Sequence, residues 1–162
     1  MIRVGIGYDS HRFASDRPLI LGGITIPHSA GLAGHSDADA IAHALADAML
    51  GAAALGDIGR LFPDTDPAHE GADSMMLLAA VRDRLRVHGW KLQQADVTVI
   101  AEAPKLAPHV AAMEARLIDV LDVSAGSVSI KAKTNERMGF IGRGEGIAVM
   151  AVATIVAAAP HG

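Results

Sequence analysis

The sequence has 162 residues, 51% of them apolar, with 14 basic and 18 acidic side chains and a formal net charge of −4. That length fits one domain with its own core, and a charged fraction of only 20% argues against a disordered chain. Mild acidity argues against a nucleic-acid partner, and the absence of cysteine excludes disulfides, thiolate nucleophiles and Cys-type zinc sites.

Residues 2–13 read as a strand with Val4, Ile6 and Tyr8 on one face. Asp9 and His11 lie two apart, so both leave the same face, roughly 7 Å apart at Cα, which suits two ligands converging on one cation. Leu19–Leu21 and Ile24–Ile26 flank Gly22-Gly23, the pattern of a bent or bulged strand pair. A loop rich in Gly, Ser and His runs from Pro27 to Ser36. Asp37 to Leu55 reads as a helix capped by Ser36 or Asp37. Ile41, Leu45, Ala48, Ala52 and Leu55 form its apolar stripe, and Asp39, His43 and Asp47 stack on the opposite side.

By itself that polar line is an ordinary solvent face. Beside Asp9 and His11 it becomes a ligand line, since two histidines and one carboxylate make the usual open zinc or iron triad. Asp47 or Asp39 would then orient an imidazole from behind.

Gly56 to Gly71, rich in Asp and Pro, reads as loop. Its segment Asp57-Ile58-Gly59-Arg60-Leu61-Phe62-Pro63-Asp64-Thr65-Asp66 is either a set of turns or an array of donors and acceptors around a polyhydroxylated substrate. Asp73 to His88 is an amphipathic helix, with Leu78, Val81 and Leu85 inward and Arg82, Arg84 and Arg86 largely outward. Asp96 to Ala101 reads as a strand. The segment Ala101-Glu102-Ala103-Pro104-Lys105-Leu106 after it is a plain connection, or a place where a flat ring approaches the backbone.

Pro108 opens a helix that buries Val110, Met113, Leu117 and Leu121. Val128 to Thr134 is a strand ending in Lys133-Thr134-Asn135-Glu136. That end is an exposed charged turn or, with Arg137, Phe140 and Arg143, a phosphate contact in which Glu136 holds magnesium. Gly139 to Gly146 is a glycine-rich loop without a Walker or dinucleotide pattern. Ile147 to Ala157 is a last strand, apolar on both faces and so central or interfacial. The apolar run it opens is shorter than the ~20 residues of a membrane helix, and no signal peptide precedes the first strand, so a soluble protein without a membrane partner is expected.

The order of elements gives an α+β fold: a single domain over residues 1–159, with a tail at 160–162. Its core is a four-stranded mixed sheet with helices on one face, and the uncovered face needs a partner. The 31 alanines fit tight helix packing or a buried subunit interface.

Several blocks closely resemble the 2-C-methyl-D-erythritol 2,4-cyclodiphosphate synthase family of non-mevalonate isoprenoid biosynthesis, in order and over nearly the whole chain. They are Gly7-Tyr8-Asp9-Ser10-His11, Gly34-His35-Ser36-Asp37, His43-Ala44-Leu45 and Gly51-Ala52-Ala53-Ala54-Leu55-Gly56-Asp57-Ile58-Gly59. Phe62-Pro63-Asp64-Thr65-Asp66, Ala103-Pro104-Lys105, Lys133-Thr134-Asn135-Glu136 and Gly142-Arg143-Gly144-Glu145-Gly146 complete the set.

The resemblance implies a lyase that converts 4-diphosphocytidyl-2-C-methyl-D-erythritol 2-phosphate to the cyclic diphosphate and CMP. It implies Zn2+ on Asp9, His11 and His43, and Mg2+ or Mn2+ on Glu136. His35 and Thr134 resemble the family's transition-state stabilisers. Ser36, Asp57, Ile58, Gly59, Phe62, Pro63, Asp64, Thr65 and Asp66 would hold the methylerythritol phosphate. Ala101, Glu102, Ala103, Pro104, Lys105 and Leu106 would form the cytosine pocket. Ser10, Lys133, Asn135, Phe140 and Arg143 would add substrate contacts. A homotrimer with active sites between subunits, packed through the other sheet face, in a bacterial cytoplasm, belongs to the same expectation. The alternatives are a metal-dependent nucleotide diphosphate hydrolase and a non-enzymatic trimeric metal-binding module. A structural zinc normally takes four protein ligands, and only three are named here.

Overall fold

In the computed structural model, which describes residues 1–158, strand β1 (Ile2–Ala14) alternates along its length. Ile2, Val4, Ile6 and Tyr8 face outward, while Gly5, Gly7, Asp9 and His11 face the helices. The glycines let helix α1 (Ala40–Ala53) lie directly on the strand. A Cβ on Gly5 would fall 2.0 Å from the Ala48 carbonyl oxygen, and one on Gly7 would fall 1.8 Å from that of Ala44. Ala44, Ala48 and Ala52 form the facing side of α1, which is where part of the alanine excess goes.

α1 starts later than the sequence predicts. Ala38 takes φ 58°, which breaks the helical path, so the cap is Asp39 rather than Ser36 or Asp37. Ala54 ends the helix in the left-handed region, leaving Leu55 outside it.

β2 (Leu19–Leu21) and β3 (Ile24–Ile26) pair around Gly22-Gly23, whose φ values of 57° and 72° are those of a tight two-residue hairpin turn. The Asp39 carboxylate accepts from both glycine N–H groups, at 2.9 and 2.7 Å, and so bolts the hairpin to the start of α1. β4 (Gly31–Leu32) pairs with the end of β1. The expected 56–71 loop contains the short helix α2 (Ile58–Leu61) and a 3-10 turn at Pro67–His69.

α3 (Ser74–Val87) buries Leu78, Val81 and Leu85, each worth about 1.5–3 kcal/mol of apolar burial. β5 (Trp90–Ile100) begins six residues before the predicted Asp96, because a register shift between Leu92 and Gln94 hides its alternation. Pro108 sits in a 3-10 turn just ahead of α4 (Val110–Leu121). β6 (Val128–Lys133), the one-turn helix α5 (Gly139–Gly142) inside the glycine-rich loop, and β7 (Gly146–Ala157) complete the described chain. The expected 160–162 tail lies outside the described residues.

Among the described residues the sheet has five strands, not four, in the order β4-β1-β7-β5-β6. The extra strand, β4, is only two residues long, too short to leave a periodic signal. β7 runs antiparallel to β1 and β5, and β5 runs parallel to β6. The C-terminal ends of β1, β5 and β6 therefore share one rim, with Asp9, Val149, Val99 and Ala132 in one row. The opposite rim carries the Ile2–Val156 pair.

α1, α3 and α4 cover one face. On the other, Val4 and Ile6 are each 65% exposed, and Tyr8, Met150 and Val152 continue an apolar strip along β1 and β7. Lys131 and Asp96 pair as ions on β6 and β5, where that face turns polar. No helix among the described residues is long and apolar enough to cross a membrane.

Candidate metal centre and its surroundings

Asp9 and His11 project from the helix-facing side of β1, and His43 meets them from the first turns of α1. His11 Nε2 lies 2.8 Å from Asp9 Oδ2, and His43 Nδ1 lies 3.3 Å from the same oxygen. The two imidazoles stand 5.5 Å apart at 58° to each other. One ligand atom from each of the three residues lies within 4.8 Å of the others, and among the described residues this is the one such group of three.

Burial alone would raise Asp9, but hydrogen bonds and charge from His11 and His43 overcome it and hold the carboxyl below its ordinary value. Burial would likewise lower His11, yet the Asp9 carboxylate and the Ala33 carbonyl lift it above the ordinary imidazole value. An ionised carboxylate between two imidazoles is a donor set that fits a divalent transition metal. Three protein ligands leave a coordination position open.

The groups behind the ligands differ from the expectation. Asp39 is fully buried and spends its oxygens on Gly22, Gly23 and Ala42 N–H groups. Asp47 accepts from the Ile58 N–H at 2.7 Å. Neither orients an imidazole. His11 Nδ1 instead donates to the Ala33 carbonyl at 2.7 Å, and His43 Nε2 meets Ser74 Oγ at 2.9 Å and Ser36 Oγ at 3.1 Å. Burial raises Asp47, and the Asp57 and Asp9 charges raise it further against the Ile58 hydrogen bond.

The triad floors a cavity of about 250 Å³ whose walls include His35, Ser36, Ile58, Gly59, Phe62 and Asp64. Asp57 caps α2 through the Arg60 N–H at 2.8 Å. Asp66 caps the next turn, and its carbonyl meets His35 Nε2 at 3.3 Å. Pro63 and Thr65 lie exposed between them. The Arg17 guanidinium donates to the Gly34 and Ser36 carbonyls and so holds the His35 loop. Sequence reasoning missed Arg17, Ser74 and the cavity-lining His69, and none of the three belongs to a local pattern that would have exposed it.

A second group forms farther along the same rim. Glu102 Oε1 accepts from the Asn135 and Arg137 N–H groups at 2.9 and 3.0 Å, and the Ala101 N–H donates to the Lys133 carbonyl. These bonds tie Ala101–Leu106 to Lys133–Glu136. Ala103, Lys105, Lys133, Thr134 and Glu136 are exposed there, whereas Leu106 is buried in the core. None of this group lines the triad cavity: β7 stands between β1 and β5, roughly 10 Å of strand spacing, and β6 lies one strand farther, roughly 14 Å. Ser10 and Phe140 line a third region with Arg12 and Glu145, and Arg143 is exposed and paired to Glu145 at 2.9 Å.

A profile of the YgbB family matches residues 2–156. The chain belongs to the YgbB family. A 2-C-methyl-D-erythritol 2,4-cyclodiphosphate synthase of Gemmatimonas aurantiaca is 56% identical over 157 residues, covering 97% of this chain and 95% of the relative. The structure of the bifunctional IspDF from Campylobacter jejuni superposes with a TM-score of 0.92 at 44% identity, over 96% of this chain. This chain spans 42% of that longer polypeptide. The CDP complex of IspF from Plasmodium falciparum superposes with a TM-score of 0.84 at 31% identity, over 98% of this chain and 97% of that one. Membership of the YgbB family thus covers both the β1–α1 triad and the second group on β5 and β6.

Proposed function

We propose that the chain closes 4-diphosphocytidyl-2-C-methyl-D-erythritol 2-phosphate into 2-C-methyl-D-erythritol 2,4-cyclodiphosphate and releases CMP. YgbB membership and the synthase name of the Gemmatimonas relative support the reading. In the molecule, the observation that carries it is the three-ligand set Asp9, His11 and His43 at the floor of a cavity. The CDP of the Plasmodium complex is a nucleotide diphosphate of the class required.

In this reaction an oxygen of the substrate's own 2-phosphate attacks the β-phosphorus. The bond from that phosphorus to the oxygen bridging toward the cytidylate breaks, and CMP leaves with the electron pair. No protein nucleophile is required, which agrees with a chain that has no cysteine. The protein's work is positioning and charge stabilisation.

Asp9, His11 and His43 would hold zinc, and Glu136 would hold magnesium or manganese. When bound, these ions supply Lewis acidity at the β-phosphate and relieve charge on the leaving phosphate. His35 and Thr134 donate to phosphate oxygens in the transition state. Ser36, Asp57–Gly59 and Phe62–Asp66 hold the methylerythritol phosphate. Ala101–Leu106 take the cytosine, and Ser10, Lys133, Asn135, Phe140 and Arg143 add contacts. One chain keeps the two groups apart, so neighbouring subunits of a homotrimer complete each site, with the apolar strip of β1 and β7 buried between them. Such an enzyme works in the bacterial cytoplasm.

The test is to incubate the protein with zinc, magnesium and substrate and to resolve the products by phosphorus NMR. Coupled doublets of a cyclic diphosphate, appearing with CMP and lost in His43→Ala, are expected. CMP with a linear phosphate would make the chain a hydrolase. Unchanged substrate over a folded, metal-loaded protein would make it a binding module.

A further inference from the structure

We infer that Ser74 and Asp37 are positioning residues that set the proton and the ring orientation of His43 for metal binding; the inference rests on the metal reading above. His43 turns Nδ1 toward Asp9, so Nε2 points away from the cation position. There it meets Ser74 Oγ at 2.9 Å. Ser74 is 1% exposed and is the first residue of α3. Asp37 grips it twice: Oδ2 accepts from the Ser74 N–H at 3.0 Å, and Oδ1 accepts from the Ser74 hydroxyl.

At the Ser74 contact the donor arithmetic then has one solution. A carboxylate only accepts, so the single hydroxyl hydrogen of Ser74 goes to Asp37. Ser74 Oγ offers His43 nothing but lone pairs, and Nε2 must carry the proton. Ser36 Oγ, at 3.1 Å from Nε2 and accepting from the Ala38 N–H, shares the same donor. In a neutral imidazole protonated at Nε2, the lone pair sits on Nδ1, which faces Asp9 and the cation. His11 is set the opposite way. Its Nδ1–H donates to Ala33, and Nε2 faces the cation. Each ring thus keeps its proton on the outward nitrogen, so the inward nitrogen beside Asp9 is the one free to exchange its hydrogen bond for a metal.

Helix capping explains only the bond from the Ser74 N–H; Asp73 caps α3 through the Met75 N–H at 2.9 Å, and the hydroxyl bond to Asp37 and the contact with His43 serve no helix end. Asp37 is itself held in place: Oδ1 also accepts from the Asp39 N–H, and the Asp37 N–H donates to the Ala72 carbonyl. The chain Asp37, Ser74, His43 is a carboxylate, a hydroxyl and an imidazole in series, and it ends at the metal position.

The experiment measures zinc affinity of the full chain without substrate, by competition with a chromogenic chelator. Ser74→Ala and Asp37→Asn bind zinc roughly 10–100-fold more weakly. Ser74→Thr, which keeps the hydroxyl, stays within a few-fold of the wild type. Zinc-loaded, nitrogen-15-labelled wild type shows a slowly exchanging His43 Nε2–H that Ser74→Ala loses. Thermal melts verify that each variant is folded. Wild-type protein that fails to bind zinc would overturn the metal reading, and the inference with it. Wild type that binds while Ser74→Ala binds equally well would overturn the positioning role and leave the metal reading standing.

Discussion

Gly7 and Ala44 meet backbone to backbone, and a Cβ on Gly7 would fall 1.8 Å from the Ala44 carbonyl oxygen. His43 rides the same turn of α1, so this contact sets the distance from which its imidazole reaches Asp9. Gly7→Ala must push α1 off the sheet. A loss of at least 1–3 kcal/mol is expected from overpacking, together with weaker zinc binding. Gly51, also in α1, has nothing within 4 Å of a built Cβ, so Gly51→Ala should instead gain up to about 1 kcal/mol. Urea unfolding of both variants, with zinc titration of Gly7→Ala, checks the contrast.

Asp39 joins the Gly22-Gly23 hairpin to α1, and its charge has a pH signature. Burial pushes its carboxyl up to about 6, the Gly23, Ala42 and Gly22 N–H groups pull against that rise, and the Asp37 charge adds to it. A folded value above the unfolded one gives stability that is full below the ordinary 3.8 and lost as pH rises through about 6. From this group, stability therefore falls as pH climbs between those values. Asp39→Asn lacks that slope. At the acid end it also costs about 1–3 kcal/mol, because its amide nitrogen must face one of the N–H groups, and the gap to the wild type narrows as pH rises toward 6. Unfolding free energies measured across the interval test both parts, and parallel profiles for the two proteins would refute the first.

A site shared between subunits, as proposed above, would have a mixing signature. His43→Ala removes a triad ligand, and Glu136→Gln removes a group from the β6 end. Each variant alone is expected to be inactive. Mixed, unfolded and reassembled together, they should regain activity, because roughly a quarter of the sites draw both intact halves by random assortment. Activity that stays at background in the mixture would place both halves within one chain.

The apolar strip of β1 and β7 gives a simpler test. Ile6 is 65% exposed, with Val152 opposite it on β7. Contiguous apolar surface of this kind marks a contact between proteins. Ile6→Glu should shift the sedimentation coefficient from that of an oligomer to that of a monomer, with the monomer still helical by circular dichroism. A wild type that sediments as a monomer would remove the premise.

Where a side chain's role depends on its own element, the sequence was readable. The two-residue period of β1 put Asp9 beside His11, and the helical period brought His43 to the same side as Asp47 and Asp39. It could not tell which of those acids serves the imidazoles, because both were spent on backbone N–H groups of distant segments. Ser74, 31 positions after His43, reaches it only through the packing of α3 on α1. Asp37 has the chemistry of a cap, but Ala38 diverts the chain and leaves Asp37 free for Ser74. β4 was too short to announce itself, and the shift at Leu92 disguised the start of β5.

The Ile2–Val156 rung closes the β1–β7 ladder at the rim away from the chemistry. Seven residue steps of extended strand separate Ile2 from Asp9, roughly 23 Å. Polypeptide spliced on ahead of Ile2 emerges at the rim opposite Asp9, His11 and, among the described residues, the Lys133–Glu136 end of β6. An affinity handle, a fluorescent reporter or a second enzyme can therefore be grafted there without crowding the triad, which makes this scaffold a natural module for gene fusion.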